Sequence, residues 1–413
     1  MKLLIVTQYF WPESFRINDL VLGLKERGHT VTVLTGMPNY PSGRLFPRYG
    51  FFSPTHETYE GISVIRVPLL PRGQGKQWRL ALNFISFAVF ASLLAPVRCR
   101  KETDVIFVYE PSPVTVGIPA IVLKKLLGAP VLFWVQDLWP ESLSATGATE
   151  SRLILGMVEY LVGFIYRGCD RILVQSEAFR SSIERFGVKR EHVMYFPNSA
   201  EAFYKPLSLG PEAPEHIQMP KGFRVVFGGN IGTAQSFETI LDAAELLKNQ
   251  QDIHWIILGD GRMFSWVQCE VKKRGLENTV HLMGRYPVEA MPRYFSLADV
   301  LLATLRKQPI FSMTIPSKVQ SYLACGKPII AALDGEGARV VQEAGAGLTP
   351  TPEDSKALAD AVMAMHGMPE DVRRTMGLNG RSYFETHFER SLLLERLDKW
   401  MTEVKGATVG CAS

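Results

Sequence analysis

Three glycine-rich turns in the second half of this 413-residue chain have the residue types of a phosphate-binding site. Gly228-Gly229-Asn230-Ile231-Gly232 follows a short apolar run, and Gly259-Asp260-Gly261 and Gly284-Arg285 follow the next two runs. Backbone N–H groups in such turns approach an anion closely, and a following helix adds its positive N-terminal end. Open α/β sheets bind ligands at the carboxyl ends of their strands. The three turns are therefore predicted to line one sheet edge and to bind a diphosphate.

A lysine near the start of a helical pattern is the first candidate for the positive charge that a diphosphate needs. Ser317 is predicted to cap the helix, which places Lys318 in its first turn. A cation at this position opposes the helix dipole by about 0.5 kcal/mol unless an anion binds there. Arg285 is the second candidate, and Arg306 or Lys307 is the third. A solvated lysine without a ligand is the structural alternative for Lys318.

Acidic residues in the first half are candidates for orienting a reacting group. Asp137 follows an apolar run and opens a loop, and Glu13 and Asp19 follow the first apolar run of the chain. The alternative for each is a structural role as a turn cap or an early-helix acid. The sequence contains no Asp-x-Asp and no His/Cys cluster with metal-ligand spacing. Backbone N–H groups and basic side chains, without a metal ion, are therefore expected to stabilise a leaving group.

The elements that must position these residues alternate between short apolar runs and helical patterns, which predicts parallel sheets. Two series of runs begin at Lys2 and at Phe223, and 413 residues suit two domains. The fold class is predicted to be α/β, with two doubly wound domains that face a central cleft. Asn198 to Gly222, which is rich in proline, is the predicted linker, and a last helix is predicted from about Ser391 to Val404.

Charge is distributed unevenly along the chain. The net charge is +4, but residues 1–200 contain 22 basic and 16 acidic side chains, whereas residues 201–413 contain 23 and 25. Residues 61–101 contain seven basic side chains and no acidic one, and they enclose an 18-residue apolar segment from Leu80 to Val97. A membrane-spanning helix needs about 20 residues. An interfacial helix on anionic lipid is predicted, and a core helix of the first domain is the alternative. The residues predicted to contact the membrane are Arg72, Lys76, Trp78, Arg79, Phe84, Phe87, Phe90, Arg98, Arg100 and Lys101.

Several of these runs resemble the family 4 retaining glycosyltransferases, whose fold is the two-domain GT-B arrangement. The general resemblance lies in Gly28-His-Thr-Val-Thr-Val33, Gly229-Asn-Ile231, Gly259-Asp-Gly261 and Ala324-Cys-Gly-Lys-Pro328. A narrower resemblance is to the subgroup that makes O-antigen and capsule repeat units, including N-acetyl-L-fucosamine transferases. It lies in Tyr9–Glu13, Thr35–Pro41, Arg66–Pro68, Tyr109–Pro113, Gln136–Ser142 and Pro316–Lys318.

The resemblance implies the substrates and the reaction. A nucleotide-sugar donor, with a UDP-sugar favoured, is expected to bind to residues 201–387. The acceptor, a saccharide linked to polyprenyl diphosphate, is expected to bind to residues 1–200. Residues 388–413 are expected to cross back and pack on the first domain. Transfer is expected to retain configuration, because the acceptor attacks from the side that the diphosphate leaves, and the diphosphate takes the acceptor proton. No protein nucleophile, cofactor or nucleic-acid partner is implied. Five scattered cysteines and the absence of a signal-peptide pattern favour the cytoplasm, with the protein peripheral on the inner membrane.

The chain departs from the family pattern at three places. Asn230 and Gln235 stand where many members have an arginine and a lysine on the first glycine loop, so other residues must supply the charge there. The residues predicted to bind the donor are Gly229, Asn230, Gly232, Gln235, Gly259, Asp260, Arg285, Ser317 and Lys318. Two glutamates that often contact the ribose are replaced by Met313 and Ser321, and Gln136 replaces a histidine. Two alternative functions share the fold: a nucleotide-sugar epimerase and a non-catalytic nucleotide-binding subunit.

Overall fold

The computed structural model describes residues 1–50, 53, 55–73, 77–99, 102–145, 149 and 151–410, with side chains to residue 407. The chain divides into two compact units. Unit 1 runs from Met1 to Pro197 and resumes at Leu393, and unit 2 runs from Asn198 to Leu392.

Unit 1 is built on one eight-stranded sheet. Its strands are β1 (Lys2–Val6), β2 (Thr30–Gly36), β3 (His56–Tyr59), β4 (Ile62–Val67), β5 (Val105–Glu110), β6 (Val131–Val135), β7 (Arg171–Val174) and β8 (Val193–Tyr195). Its first helices are α1 (Arg16–Glu26), α2 (Gln77–Arg98), α3 (Gly117–Leu127), α4 (Glu141–Ala145), α5 (Arg152–Gly168) and α6 (Phe179–Glu184). The strand order is β3-β4-β2-β1-β5-β6-β7-β8, and every pairing is parallel except that of β3 with β4.

Unit 2 is built on a six-stranded parallel sheet. Its strands are β9 (Phe223–Gly228), β10 (Ile253–Leu258), β11 (Val280–Gly284), β12 (Val300–Thr304), β13 (Ile329–Ala332) and β14 (Gly347–Leu348). Its helices are α7 (Pro214–Gln218), α8 (Phe237–Leu246), α9 (Phe264–Arg274), α10 (Met291–Ser296), α11 (Pro309–Ser312), α12 (Ser317–Ala324), α13 (Gly335–Glu343), α14 (Ser355–Gly367) and α15 (Glu370–His387). The strand order is β11-β10-β9-β12-β13-β14.

Fully buried parallel strands are the reason that the sequence signals the fold clearly. All six residues of β5 and all five of β6 are buried, as expected for strands covered by helices on both faces. The prediction of two α/β units with parallel sheets is confirmed. Three short edge strands, β3, β8 and β14, are additional to the predicted set, because edge strands lack a continuous apolar run.

The last helix, α16 (Arg390–Gly410), packs on the sheet of unit 1 beside α1. Its Leu397 and Met401 are buried in the same core cluster as Leu3 of β1. Asp398 accepts a hydrogen bond from the His29 ring over 2.8 Å, which joins the helix to the start of β2. Residues 198–222, the predicted linker, belong to unit 2, where Tyr204 and Met219 enter the core.

Helix α2 is long and apolar enough to cross a membrane by length and composition: an 18-residue window within it has a mean hydropathy of 2.1, yet 33% of that window is buried. Phe87 has 0% of its surface exposed, and Phe84 contacts the ring of Trp139. Membrane contact by Phe87 is therefore a wrong prediction, because the helix has apolar residues on more than one side and the side with Phe87 packs on the protein. The outward side instead carries Trp78, Leu82, Ile85, Val89, Leu93 and Val97, named here the α2 face.

The basic residues predicted to contact the membrane have different surroundings. The guanidinium of Arg72 lies 5.0 Å from the centre of the Tyr40 ring, and that of Arg98 donates a hydrogen bond to the carbonyl oxygen of Arg66. Arg79 is exposed, and its guanidinium lies 5.3 Å from the centre of the Trp78 ring. Lys76, Arg100 and Lys101 lie outside the described residues.

Candidate active site

In unit 2, the three glycine turns meet at the carboxyl ends of β9, β10 and β11. The Gly229 N–H donates to Leu258 O over 2.8 Å, and the Gly259 N–H donates to Gly284 O over 2.8 Å. A Cβ on Gly259 would lie 1.8 Å from Gly229 O, so this approach requires glycine. The structure thus brings together three turns, of which the first and the last, at Gly229 and Gly284, are 55 residues apart in sequence.

Lys318 reaches this cluster from the first turn of α12. Its ammonium nitrogen lies 4.1 Å from the centre of the Phe227 ring, and a Cβ on Gly229 would lie 2.6 Å from its Cε. Among the described residues, no carboxylate is close enough to raise its pKa. Burial lowers the pKa of Lys318 to about 7, because the ammonium is enclosed without a counter-charge. An uncompensated cation beside a glycine turn is a candidate position for an anion, and the binding role of Lys318 stays a prediction.

Tyr322 fixes helix α12, and with it Lys318, against the end of β9. The Tyr322 hydroxyl accepts a hydrogen bond from the Gly228 N–H over 3.0 Å and donates one to Leu302 O over 3.2 Å. The predicted cap is wrong: Pro316 occupies the N-cap position, and Ser317 is the first helical residue, exposed and without a capping bond. Proline fits there because its position before the helix needs no N–H donor.

The other predicted donor-binding residues shape the turns or lie exposed around them. Gln235 accepts the Gly232 N–H over 3.1 Å, and Asp260 accepts the Gly261 N–H over 2.7 Å, so both side chains stabilise their own loops. Asn230 and Arg285 are exposed at the rim of the same edge. The binding roles of these residues stay predictions.

Arg306 and Lys307 are less suited than Lys318 to supply the missing charge. Arg306 pairs with Glu238 over 2.7 Å, so its charge is already compensated. Lys307 is exposed, and its backbone N–H donates to Glu353 over 2.8 Å. A recess opens beside them at the ends of β12 and β13, lined by Leu305, Gln308, Phe311, Thr314, Pro316 and Asp334.

In unit 1, Asp137 lies at the carboxyl edge of the sheet, beside a second acid. Asp137 Oδ1 accepts a hydrogen bond from the Ser142 hydroxyl over 2.5 Å, and burial raises its pKa to about 6. Glu110 ends the neighbouring strand β5, has 0% of its surface exposed, and faces the Asp137 N–H with Oε2 at 3.4 Å. Burial first, and then the Asp137 charge, raise the pKa of Glu110 well above its usual range. The two residues are named here the acid pair.

Glu110 is the site residue that sequence reasoning missed. Its Oε1 is buried and has no hydrogen-bond partner among the described residues. The available signal was its position: it is a carboxylate that directly follows five apolar residues of a buried strand and precedes Pro111. Because β5 pairs with β6 in register Glu110 to Val135, Glu110 lies next to the loop that begins with Gln136 and Asp137.

Glu13 connects two loops of unit 1. Its Oε1 accepts the N–H groups of Asn39 and Tyr40, each over 2.7 Å, and its Oε2 accepts that of Phe10 over 3.3 Å. Burial raises the pKa of Glu13 to about 7. These contacts support the structural alternative for Glu13, and its catalytic role stays a prediction. Asp19 lies in the first turn of α1, where an acid stabilises the helix dipole.

Metal ligands do not cluster in the described part of the chain: no three His, Cys, Asp or Glu side chains there are arranged to hold an ion. The independence of the reaction from metal stays a prediction.

Comparison with known proteins identifies the class. Residues 14–199 match the family described as glycosyl transferase 4-like domain, and residues 213–383 match the family described as glycosyl transferases group 1. The chain therefore belongs to the glycosyltransferases that combine these two domains, and it is an enzyme of that class. The predicted family is confirmed at this level.

Two relatives and one solved structure give the similarity in detail. The probable glycosyltransferase WbjE of Pseudomonas aeruginosa is 30% identical over 303 residues, which cover 70% of this chain and 71% of WbjE. The putative colanic acid biosynthesis glycosyl transferase WcaI of Escherichia coli K12 is 26% identical over 344 residues, 79% of this chain and 82% of WcaI. The crystal structure of Anabaena HepE in complex with UDP superposes with a TM-score of 0.68 at 15% identity, covering 98% of this chain and 100% of HepE. The fold is GT-B, as predicted.

Proposed function

We propose that this enzyme transfers a sugar from a nucleotide sugar, with UDP as the favoured nucleotide, to a saccharide carried on a polyprenyl diphosphate. The observation that carries the proposal is the unpaired Lys318 ammonium beside Gly229. This arrangement provides a positive charge where a leaving diphosphate would develop negative charge, beside a glycine that leaves room for the ligand. HepE, which shares the fold, was crystallised with UDP, which supports a uridine nucleotide in unit 2.

Retention of configuration is part of the proposal. The departing diphosphate takes the acceptor proton, so no side chain has to act as a nucleophile. The acid pair then has an orienting role: ionised Asp137 accepts a hydrogen bond from a sugar hydroxyl, and Glu110 beneath it stays protonated because burial and the Asp137 charge raise its pKa. Gln136, in the position of a frequent histidine, would act as a neutral hydrogen-bonding group.

The acceptor and the sugar are proposed from the narrower sequence motifs and from the relatives. WcaI is described as a colanic acid biosynthesis enzyme, which supports a role in making a bacterial polysaccharide. The motifs favour an N-acetylated deoxyhexosamine such as N-acetyl-L-fucosamine, in O-antigen or capsule synthesis. A polyprenyl-linked acceptor fits a protein that is peripheral on the cytoplasmic side of the inner membrane, and the apolar α2 face supports this location.

Incubation with a panel of UDP-sugars and a polyprenyl-diphosphate-linked saccharide, read by mass spectrometry, tests the proposal. One donor should yield an acceptor heavier by one sugar residue, with the anomeric configuration retained in the NMR spectrum of the product. The Asp137→Asn variant should fold and bind the nucleotide while transferring the sugar at least about 100-fold more slowly. Inversion of configuration, or transfer from a non-uridine donor only, would contradict the proposal.

A further inference from the structure

A second exposed apolar surface lies on helix α5 of unit 1. Leu153, Met157, Tyr160 and Phe164 recur every three or four residues along this helix and are named here the α5 stripe. Leu153 is 75% exposed and Tyr160 is 76% exposed. Single exposed apolar residues are common on soluble proteins, but a contiguous stripe marks an interaction surface. The C-terminal half of the same helix is anchored in the core by Val162, Ile165 and Tyr166.

The α5 stripe and the α2 face belong to the same side of the sheet. Helix α3 packs along α2, and a Cβ on its Gly117 would lie 2.4 Å from Ile165 of α5. Right-handed crossovers from β4 to β5, β5 to β6 and β6 to β7 place α2, α3 and α5 on one face. Their N-terminal ends lie near the carboxyl edge of the sheet, where the acid pair lies. Phe84 of α2 contacts Trp139, which follows Asp137, with ring centres 6.3 Å apart.

The charge on these helices indicates the partner. The helices α2, α3 and α5 carry a single acidic side chain, Glu159, and six basic ones, Arg79, Arg98, Lys124, Lys125, Arg152 and Arg167, of which Lys124 is paired with Asp170 over 2.7 Å. Apolar stripes with basic flanks and interfacial aromatic residues are typical of helices that lie on an anionic bilayer. A second copy of the chain would bring the same positive charges together, which disfavours self-association through this surface.

We propose that the N-terminal half of α5 is a second lipid-docking element, which acts together with the α2 face to seat unit 1 on an anionic bilayer. The inference rests on the proposed function, because an acceptor confined to the membrane is what makes docking useful. Two contact elements define an orientation, whereas one helix leaves rotation about its axis free. The carboxyl edge with the acid pair then lies at the bilayer surface, where a polyprenyl-linked saccharide is presented.

The experiment compares vesicle binding of the full-length protein with that of two variants. Vesicles rich in phosphatidylglycerol and vesicles of phosphatidylcholine alone are sedimented with each protein at low and at high salt. The double variant Leu153→Asp/Met157→Asp should lower partitioning onto the anionic vesicles about 100-fold, since each replaced side chain contributes about tenfold on burial. The matched control Ile217→Asp changes a side chain that is 87% exposed on α7 of unit 2, and its binding should equal that of the parent.

Folding and activity controls separate this inference from the proposed function. Both substituted α5 residues are exposed, so the variant should keep its circular dichroism spectrum and melting temperature. It should also keep its rate toward a water-soluble acceptor analogue while losing rate on acceptor embedded in vesicles. If the parent binds vesicles and the double variant does not, the result supports lipid docking by α5. Absence of sugar transfer in the same experiments would contradict the proposed function only.

Three results would overturn the inference. The first is vesicle binding by the double variant that equals that of the parent. The second is a parent protein that does not bind anionic vesicles at low salt. The third is a parent dimer in sedimentation velocity that the double substitution dissociates, because the stripe would then contact a second copy.

Discussion

Replacing Lys318 by methionine tests the charge that the candidate donor site depends on. Methionine keeps the length and most of the apolar contact with Phe227 but removes the ammonium. A charge-assisted hydrogen bond contributes about 1.5 to 3 kcal/mol, so the dissociation constant of UDP should rise roughly 10- to 160-fold. Among the described residues, no carboxylate contributes to the pKa of Lys318, so the change leaves no acidic partner unpaired. The rise in the dissociation constant therefore measures the contact between Lys318 and UDP.

The same substitution should change how nucleotide binding depends on pH. In the free protein, burial holds the pKa of Lys318 at about 7, whereas a bound diphosphate stabilises its protonated form. Binding above this pH therefore requires uptake of a proton. The affinity of the parent should fall about tenfold for each pH unit above about 7, and Lys318→Met should lack this slope.

The stability of the free enzyme gives a control, because Lys318→Met should raise stability while it weakens UDP binding. A lysine whose ammonium is buried without a partner destabilises the folded state at every pH at which lysine is protonated in the unfolded chain. Lys318→Met should thus melt at a higher temperature than the parent at neutral pH while binding UDP more weakly. Lys272→Met, an exposed change on α9, should alter neither property. Calorimetry that finds equal UDP affinity in parent and Lys318→Met would refute the assignment.

Three further predictions concern the acid pair, metal ions and helix α2. With the pKa of Asp137 at about 6, transfer should decline as pH falls through about 6, and Asp137→Asn should remove this limb of the rate profile. Excess EDTA should leave most of the rate intact, and a loss that magnesium or manganese restores would show that a metal takes part. Phe87→Ala should destabilise the protein by about 3 to 5 kcal/mol in chemical denaturation because Phe87 is fully buried. Leu93→Ala, at an exposed position of the same helix, should leave stability within about 0.5 kcal/mol and weaken vesicle binding instead.

The sequence alone determined the strands and the glycine turns. Buried parallel strands such as β5 and β6 are continuous apolar runs in the sequence. The local sequence therefore predicts where these strands lie, without knowledge of the strands that pair with them. Lys318 in the first turn of a helix was also predictable, because a helical pattern is local in sequence. Ser317 was assigned as the cap because serine is a common N-cap residue, but the helix begins one residue earlier than that assignment requires.

Tertiary structure decided the properties that depend on contacts distant in sequence. Helix α2 has large apolar residues on its buried and on its exposed side, so its packing in unit 1 determines that Phe87 is buried and Leu93 exposed. Glu110 and Asp137 become a pair because β5 and β6 are neighbours, and burial then raises both pKa values. The pKa of Lys318 is lowered because the fold removes its ammonium from solvent, next to the Phe227 ring of β9. The burial of a side chain and its distance to residues far away in sequence depend on the whole fold, so a local sequence pattern cannot predict them.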